Sequence, residues 1–367
     1  MIREYETEKL SDMPVIDCHT HISHTDGDFS GLITAMNESG ARTFNALSLC
    51  SVGVGKSLLQ NLLCLQIKAS CRENEIYTFG SLHYPPPGEK ADGHELAEQA
   101  KRLAGMGFEG FKMIEGKPGN RKLSGLPLDS GVYDEYYSFL ESAGIPILYH
   151  VADPEEFWDF EKIPSWARSS GWFYDETYPT KEKLYGEVDG VLGKFPKLKT
   201  IFAHFYFKSA SIESASEFLD KWPNANLDLT PGSEMYPAFS SDPEGWRDFF
   251  IKYQDRILYG TDSVDYDVRF SLDRNISVRN FLEKQGEFWS KAWECNLNGI
   301  YLDKEVLEKI YWKNFRSIAG NKPKKINFAL ADSECRYVTE KLASNPSGES
   351  LIADAEKICQ SLRCVQP

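Results

Sequence analysis

Residues 15–22 read VIDCHTHI, an apolar run that carries His19 and His21 near its end. A run of this kind is a strand, and on a strand His-x-His sends both imidazoles to one side, about 7 Å apart along the chain. If that side is the interior of a barrel, the two rings meet at its mouth, close enough to share one cation. Seven further apolar, β-branched or aromatic runs follow, at 43–49, 76–82, 107–114, 145–151, 199–206, 226–230 and 256–261. Helical stretches at 56–73, 93–105, 131–143, 181–195, 212–222 and 242–254 separate most of them. Strands alternating with helices imply βαβ units and a parallel sheet. Eight units fit a closed (β/α)8 TIM barrel better than a doubly wound sheet.

Two segments break the rhythm. Residues 152–180, after the fifth strand, are an insertion crowded with Phe157, Trp158, Phe160, Trp166, Trp172, Phe173, Tyr174 and Tyr178. Residues 264–298, after the eighth strand, precede the last barrel helix, expected at 304–319. Both follow the C-terminal ends of strands, where barrel enzymes build their sites. The expected division is a barrel at 1–320 and a polar extension at 321–367, packed on the barrel through one amphipathic helix at 348–362.

Composition narrows the class. With 41% hydrophobic and 13% aromatic residues the 367-residue chain can bury a sizeable core. A net charge of −14 argues against nucleic acid, which needs a basic footprint. No apolar run suffices to cross a bilayer, and the N-terminus lacks an apolar signal segment. The eight cysteines, without a CxxC pair, read as reduced thiols of a cytoplasmic protein. The expected partners are a small-molecule substrate and, as a homodimer, a second copy of the chain.

Only seven histidines occur, and four of them fall at strand ends: His19 and His21, His150 after ILY, and His204 after IFA. Asp262 ends the eighth strand in ILYGTD. Five metal-type ligands thus converge on one rim from four strands. This pattern resembles the amidohydrolase superfamily. Within it, the chain is similar to the amidohydrolase-related family that includes aminocarboxymuconate-semialdehyde decarboxylase, resorcylate decarboxylases and several lactonases. The resemblance runs from Val15 to the segment NFRSIAG at 314–320. It implies a mononuclear barrel holding one divalent ion, zinc or else manganese. His19, His21, His150 and Asp262 would be the ligands, with His204 beside the ion's water.

Lys112, on the fourth strand, is the ambiguous residue. In binuclear members of the superfamily a strand-four lysine is carboxylated and bridges two metals; the reading taken here is a mononuclear site with Lys112 contacting substrate or a ligand. Glu115 is a further candidate for the rim, and Asp17 either orients a histidine or belongs to the barrel core. Trp158 and Trp172 of the insertion are expected to wall the pocket or act as a lid, a dimer contact or satellite core being the other role. Arg269 is a candidate partner for a substrate carboxylate or a plain surface ion pair. His83 is a candidate for the pocket wall, whereas His24 and His94 are expected at the surface. The run Gly53-Val54-Gly55-Lys56-Ser57 imitates a phosphate loop, but Cys50 stands where its first glycine belongs, leaving a tight turn as the reading.

The expected chemistry is metal-dependent hydrolysis of a small cyclic ester or amide, lactone-like, with Asp262 accepting a proton and His204 steadying the water or oxyanion. Non-oxidative decarboxylation is the alternative, and a barrel that binds without turnover a remote third. Hydrolysis is favoured because the visible rim cations, Lys112 and Arg269, are few.

Overall fold

The computed structural model describes residues 10–22, 27–52, 56–71, 73–344 and 349–365. His24 and the glycine run at 53–55 lie outside them. The eight expected strands all form: β1 (Ile16–His21), β2 (Thr43–Leu47), β3 (Glu75–Gly80), β4 (Gly110–Gly116), β5 (Ile147–Val151), β6 (Thr200–Phe202), β7 (Ala225–Asp228) and β8 (Ile257–Leu258). Each pairs in parallel with its chain neighbours, and a short β9 (Ser263–Val264) lies against β1. The Cys18 amide donates to the Tyr259 carbonyl (3.0 Å) and the Asp262 amide to the His19 carbonyl (2.9 Å), which joins the last strand to the first. The result is a TIM barrel.

The barrel is filled in layers. Ile16, Cys18, Leu47, Phe79, Leu148, Ile201 and Leu258 make the buried inner core, and Phe315 of the last helix plugs one end. The outward faces pack under the helices in a separate, larger apolar layer. Strands covered on both faces need apolar residues throughout, which is why they read as continuous runs. A bulge interrupts this order in β1, where three residue steps from Asp17 to Thr20 face only two on β2, Phe44 to Ala46. A bulge resets which side the following side chains take. Ile16 and Cys18 therefore lie in the inner core while His19 and His21 also face inward, lining the cavity above it.

The segment after β8 resolves into a helix, Val268–Glu283, and an antiparallel hairpin, Gln285–Ser290 with Cys295–Ile300. A helix at Ser30–Ser39, not singled out by the sequence, links β1 to β2. The last barrel helix is split by a π-turn at Lys309–Lys313, whose Ile310 carbonyl accepts from the Tyr259 amide. The C-terminal extension has two helices, Phe328–Ala343 and Glu349–Cys364, where the sequence suggested one. Gln66 donates to Ser361 Oγ (3.0 Å), and Arg102 pairs with Glu334 (3.3 Å) and lies over the Tyr337 ring, docking them on barrel helices.

Candidate metal centre

His19, His21 and Asp262 are brought together at the barrel mouth. Their Nε2, Nε2 and Oδ1 atoms stand 3.0 Å (His19 to His21), 3.2 Å (His21 to Asp262) and 3.7 Å (His19 to Asp262) apart. Ligand atoms about 2.1 Å from a tetrahedral ion are separated by about 3.4 Å, so the three donors fit one cation. A second observation agrees: His19 Nδ1 meets Asp228 Oδ2 at 2.8 Å. A hydrogen bond to a carboxylate fixes the proton on Nδ1 and turns the Nε2 lone pair into the cavity, as a metal-binding histidine requires. Burial, reinforced by Lys112, holds the His19 ring well below the usual imidazole pKa, and burial brings His150 down to about 4. Both are thus neutral near pH 7, the form that binds metal.

Asp262 sits on the turn after β8 with φ +59°, an unusual conformation for a non-glycine residue. Its Oδ2 accepts from Arg274 at 2.9 Å. Burial would raise its carboxyl, but the His21 hydrogen bond and the Arg274 guanidinium outweigh it and keep the group well below the carboxylate range. Lys112 points inward, its Nζ 3.1 Å from His19 Nε2; burial lowers its ammonium to about 8 while Asp228 and Asp262 oppose that fall.

His204 is held differently. It begins a left-handed turn, with φ between +48° and +55° at His204, Phe205, Tyr206 and Phe207. Such a turn costs about 1–2 kcal/mol per residue. It is pinned by the His204 amide on Asp228 Oδ1 (2.9 Å), the Tyr185 hydroxyl on the Tyr206 carbonyl (2.8 Å) and the Phe205 ring packed against Phe239 and Phe250. The His204 Nδ1 donates to the Pro231 carbonyl (3.3 Å), leaving Nε2 as the acceptor. Asp228 therefore supports His19 through one oxygen and His204 through the other.

His150 is near but oriented otherwise. Its Nε2 lies 3.3 Å from Asp153 Oδ1, and its ring 4.7 Å from that of His204. Asp153 also accepts from the Tyr174 hydroxyl (2.5 Å) and pairs with Lys117 (3.3 Å), which lies 3.9 Å over the Trp172 ring. The strand-five histidine is thus tied to the aromatic insertion. Among the described residues, the three-ligand group at this rim is His19, His21 and Asp262, without His150.

These side chains floor a cavity of about 820 Å³, lined also by Trp166, Trp172, Phe270, Lys117, Lys291 and Trp293. A sequence profile of the family described as Amidohydrolase matches residues 65–316. The chain belongs to the amidohydrolase family. It is an enzyme, of a superfamily whose members work with a divalent metal. The match begins beyond β1, so the His19–His21 pair is defined by the geometry above. Similar solved structures include 5-carboxyvanillate decarboxylase from Sphingomonas paucimobilis (11% identity, TM-score 0.53, covering 83% of this chain and 98% of that one). Others are 4-oxalomesaconate hydratase from Rhodopseudomonas palustris (14%, 0.51, 83% and 95%) and a dihydroxybenzoic acid decarboxylase from a Polaromonas species with bound manganese and 2-nitroresorcinol (14%, 0.50, 83% and 96%). At these identities the likeness speaks for the fold. A search of curated protein sequences finds no match. No helix among the described residues is long and apolar enough to cross a membrane.

In this amidohydrolase the structure sorts roles that the sequence left open and corrects others. Asp17 bonds the His19 amide (3.0 Å) and Thr261, not a histidine ring; the carboxylate on the ring is Asp228. Trp158 lies in the insertion's own small core, its Nε1 on the Pro179 carbonyl, whereas Trp172 reaches the cavity wall. Arg269 is 73% exposed, pairs with Asp273 and lies outside the main cavity; the arginine at the triad is Arg274, five residues further along the same helix and so on a different face. Glu115 faces away from the cavity and accepts from the Tyr84 hydroxyl (2.6 Å). His83 also lies off the cavity wall, its amide bonded to Gln99. The premise of few rim cations falls as well, since Lys112, Lys117, Arg274 and Lys291 all line the cavity. Asp228 was legible in principle: it ends the seventh strand in NLDLT, at the same rim as the five ligand-type residues on the other strands.

Proposed function

We propose that this amidohydrolase opens a small cyclic ester or amide, lactone-like, using one divalent ion, zinc in the first instance and manganese as the substitute. His19, His21 and Asp262 would hold the ion, with His150 as a fourth ligand once its Nε2 leaves Asp153. When bound, such an ion lowers the pKa of a coordinated water toward neutrality and polarises a carbonyl. Asp262 Oδ1 accepts the proton released on attack. Arg274 on its other oxygen keeps the carboxylate ionised, and so able to accept, until that transfer. His204, with its proton fixed on Nδ1, offers Nε2 to the attacking water and orients it. Lys112 and Lys117 place positive charge where the oxyanion or a substrate carboxylate would lie. The Trp172 side of the insertion excludes water from the pocket.

The observation that carries this reading is the state of Asp262, held as a hydrogen-bond acceptor by Arg274 at 2.9 Å and facing the histidine pair. Ring opening needs a base at that place, whereas protonating the carbanion left by decarboxylation needs an acid. A specific observation supports decarboxylation as the second reading: four cations line the cavity, enough to bind a departing carboxylate, and two of the similar solved structures are decarboxylases of aromatic acids. A panel of aryl and sugar lactones assayed beside a panel of aromatic and muconate-type acids separates them. Ring opening supports the proposal; carbon dioxide released from an acid with no lactone opened would replace it by the second reading.

A further inference from the structure

The cavity above the triad does not end at its rim. Helix Val268–Glu283 enters the mouth with its first turns, and its two faces divide the space beyond. Phe270 and Arg274, four residues apart and 4.1 Å from ring to guanidinium, face the inner cavity. Arg269 and Asp273, also four apart, face a second, more open depression of about 520 Å³. The hairpin Gln285–Ser290/Cys295–Ile300 supplies the rest of this outer depression through Trp289, Lys291 and Glu294. Asp273 and Lys291 line both spaces, so the outer depression continues from the inner one.

Its chemistry is specific. Trp289 stands 59% exposed, an indole face left open on a hairpin whose neighbouring residues Phe288 and Ser290 are buried. Around it are two donors, Arg269 and Lys291, and two carboxylates, Asp273 and Glu294, with formal charges that cancel. Glu294 holds φ +50° in the hairpin turn, a costly conformation for a non-glycine residue, of the kind found at ligand clamps. A neutral ring of both signs is a poor anion trap. It suits a ligand that donates and accepts at adjacent positions, as vicinal hydroxyl groups do, while its flat carbon face stacks on an indole. The inner cavity, at about 820 Å³, is already near the upper end of small-molecule pockets, which suits an extended substrate.

We propose that Trp289, with Arg269, Asp273, Lys291 and Glu294, forms an outer subsite for a polyhydroxylated ring. The substrate would then be a glycosylated or polyol-bearing compound whose reactive carbonyl lies at His19, His21 and Asp262. This placement rests on the reading of that triad as the reacting end. The full chain with its metal can be assayed on 7-hydroxy-3,4-dihydrocoumarin and on its 7-O-β-glucoside. The glucoside should have a KM about tenfold lower, and the ratio should fall toward one in Trp289→Ala. Equal KM values in the native chain, or a tenfold ratio that survives Trp289→Ala, would overturn the subsite. If neither lactone is opened, the subsite is tested independently of the reaction by saturation-transfer NMR with methyl β-glucoside. Transfer seen in the native chain and lost in Trp289→Ala supports it; no transfer in the native chain, or transfer unchanged in the variant, refutes it.

Discussion

His19 and His150 both stand at the ends of barrel strands, both are buried, and both meet a carboxylate, yet they present opposite faces of the problem. His19 gives its Nδ1 to Asp228 at 2.8 Å and keeps Nε2 for the cavity. His150 spends its Nε2 on Asp153 at 3.3 Å, and Asp153 is itself held by Tyr174 and Lys117 of the neighbouring loops. The strand end decides that an imidazole reaches the mouth; the carboxylate behind it decides which nitrogen arrives. One side of the rim is braced for a cation, and the other is fastened to the aromatic insertion.

That contrast can be broken by substitution. His19→Ala should empty the metal centre and lower activity on the order of 10³-fold or more, with the fold retained, because the residue sits above the packed inner layer. Measured metal content and thermal unfolding check both halves. Asp228→Asn comes next: it removes the charge that fixes the His19 Nδ1 proton and should weaken metal affinity about 10–100-fold. It also disturbs the His204 amide, so a variant with metal restored at high concentration should remain slower than the native chain. Replacing Asp153 by Asn should move metal affinity less than Asp228→Asn does, within about tenfold, since of the rim histidines Asp153 bonds His150 and not His19 or His204. Titration with a competing chelator ranks the two, and the reverse order would mean that strand five, not strand one, is the anchored side. Tyr174→Phe is the mildest: loss of one buried hydrogen bond should cost about 0.5–1.5 kcal/mol in urea unfolding and leave the metal in place.

The same two sides differ in how far the sequence reveals them. β1 and β8 were readable because apolar runs end in ligand-type residues, His19, His21 and Asp262, and the fold puts strand ends at one rim. What the run of letters conceals is rotation. Nothing in VIDCHTHI announces the bulge that turns both Cys18 and His19 inward. Arg269 and Arg274 lie on one helix, and only the helix's packing decides that the second, not the first, faces the triad. The left-handed turn at 204–207 has no glycine or asparagine to betray it; aromatic packing from distant helices enforces it. Trp158 and Trp172 are equivalent by composition, and the insertion's own small core sorts one inside and one onto the wall. The first C-terminal helix, Phe328–Ala343, escaped because its buried stripe, Ala331, Glu334, Cys335, Val338 and Leu342, holds few large apolar residues, and the surrounding sequence reads as a polar loop.

The central claim is a single cation held by His19, His21 and Asp262. The most direct measurement is elemental analysis joined to an anomalous-scattering crystal structure of chain purified without chelator. About one divalent ion per chain, touching those three side chains with an unmodified Lys112 amine beside it, is the expected result. Two ions about 3.5–4 Å apart bridged by a carboxylated Lys112, or full activity in chain free of any divalent metal, would contradict it.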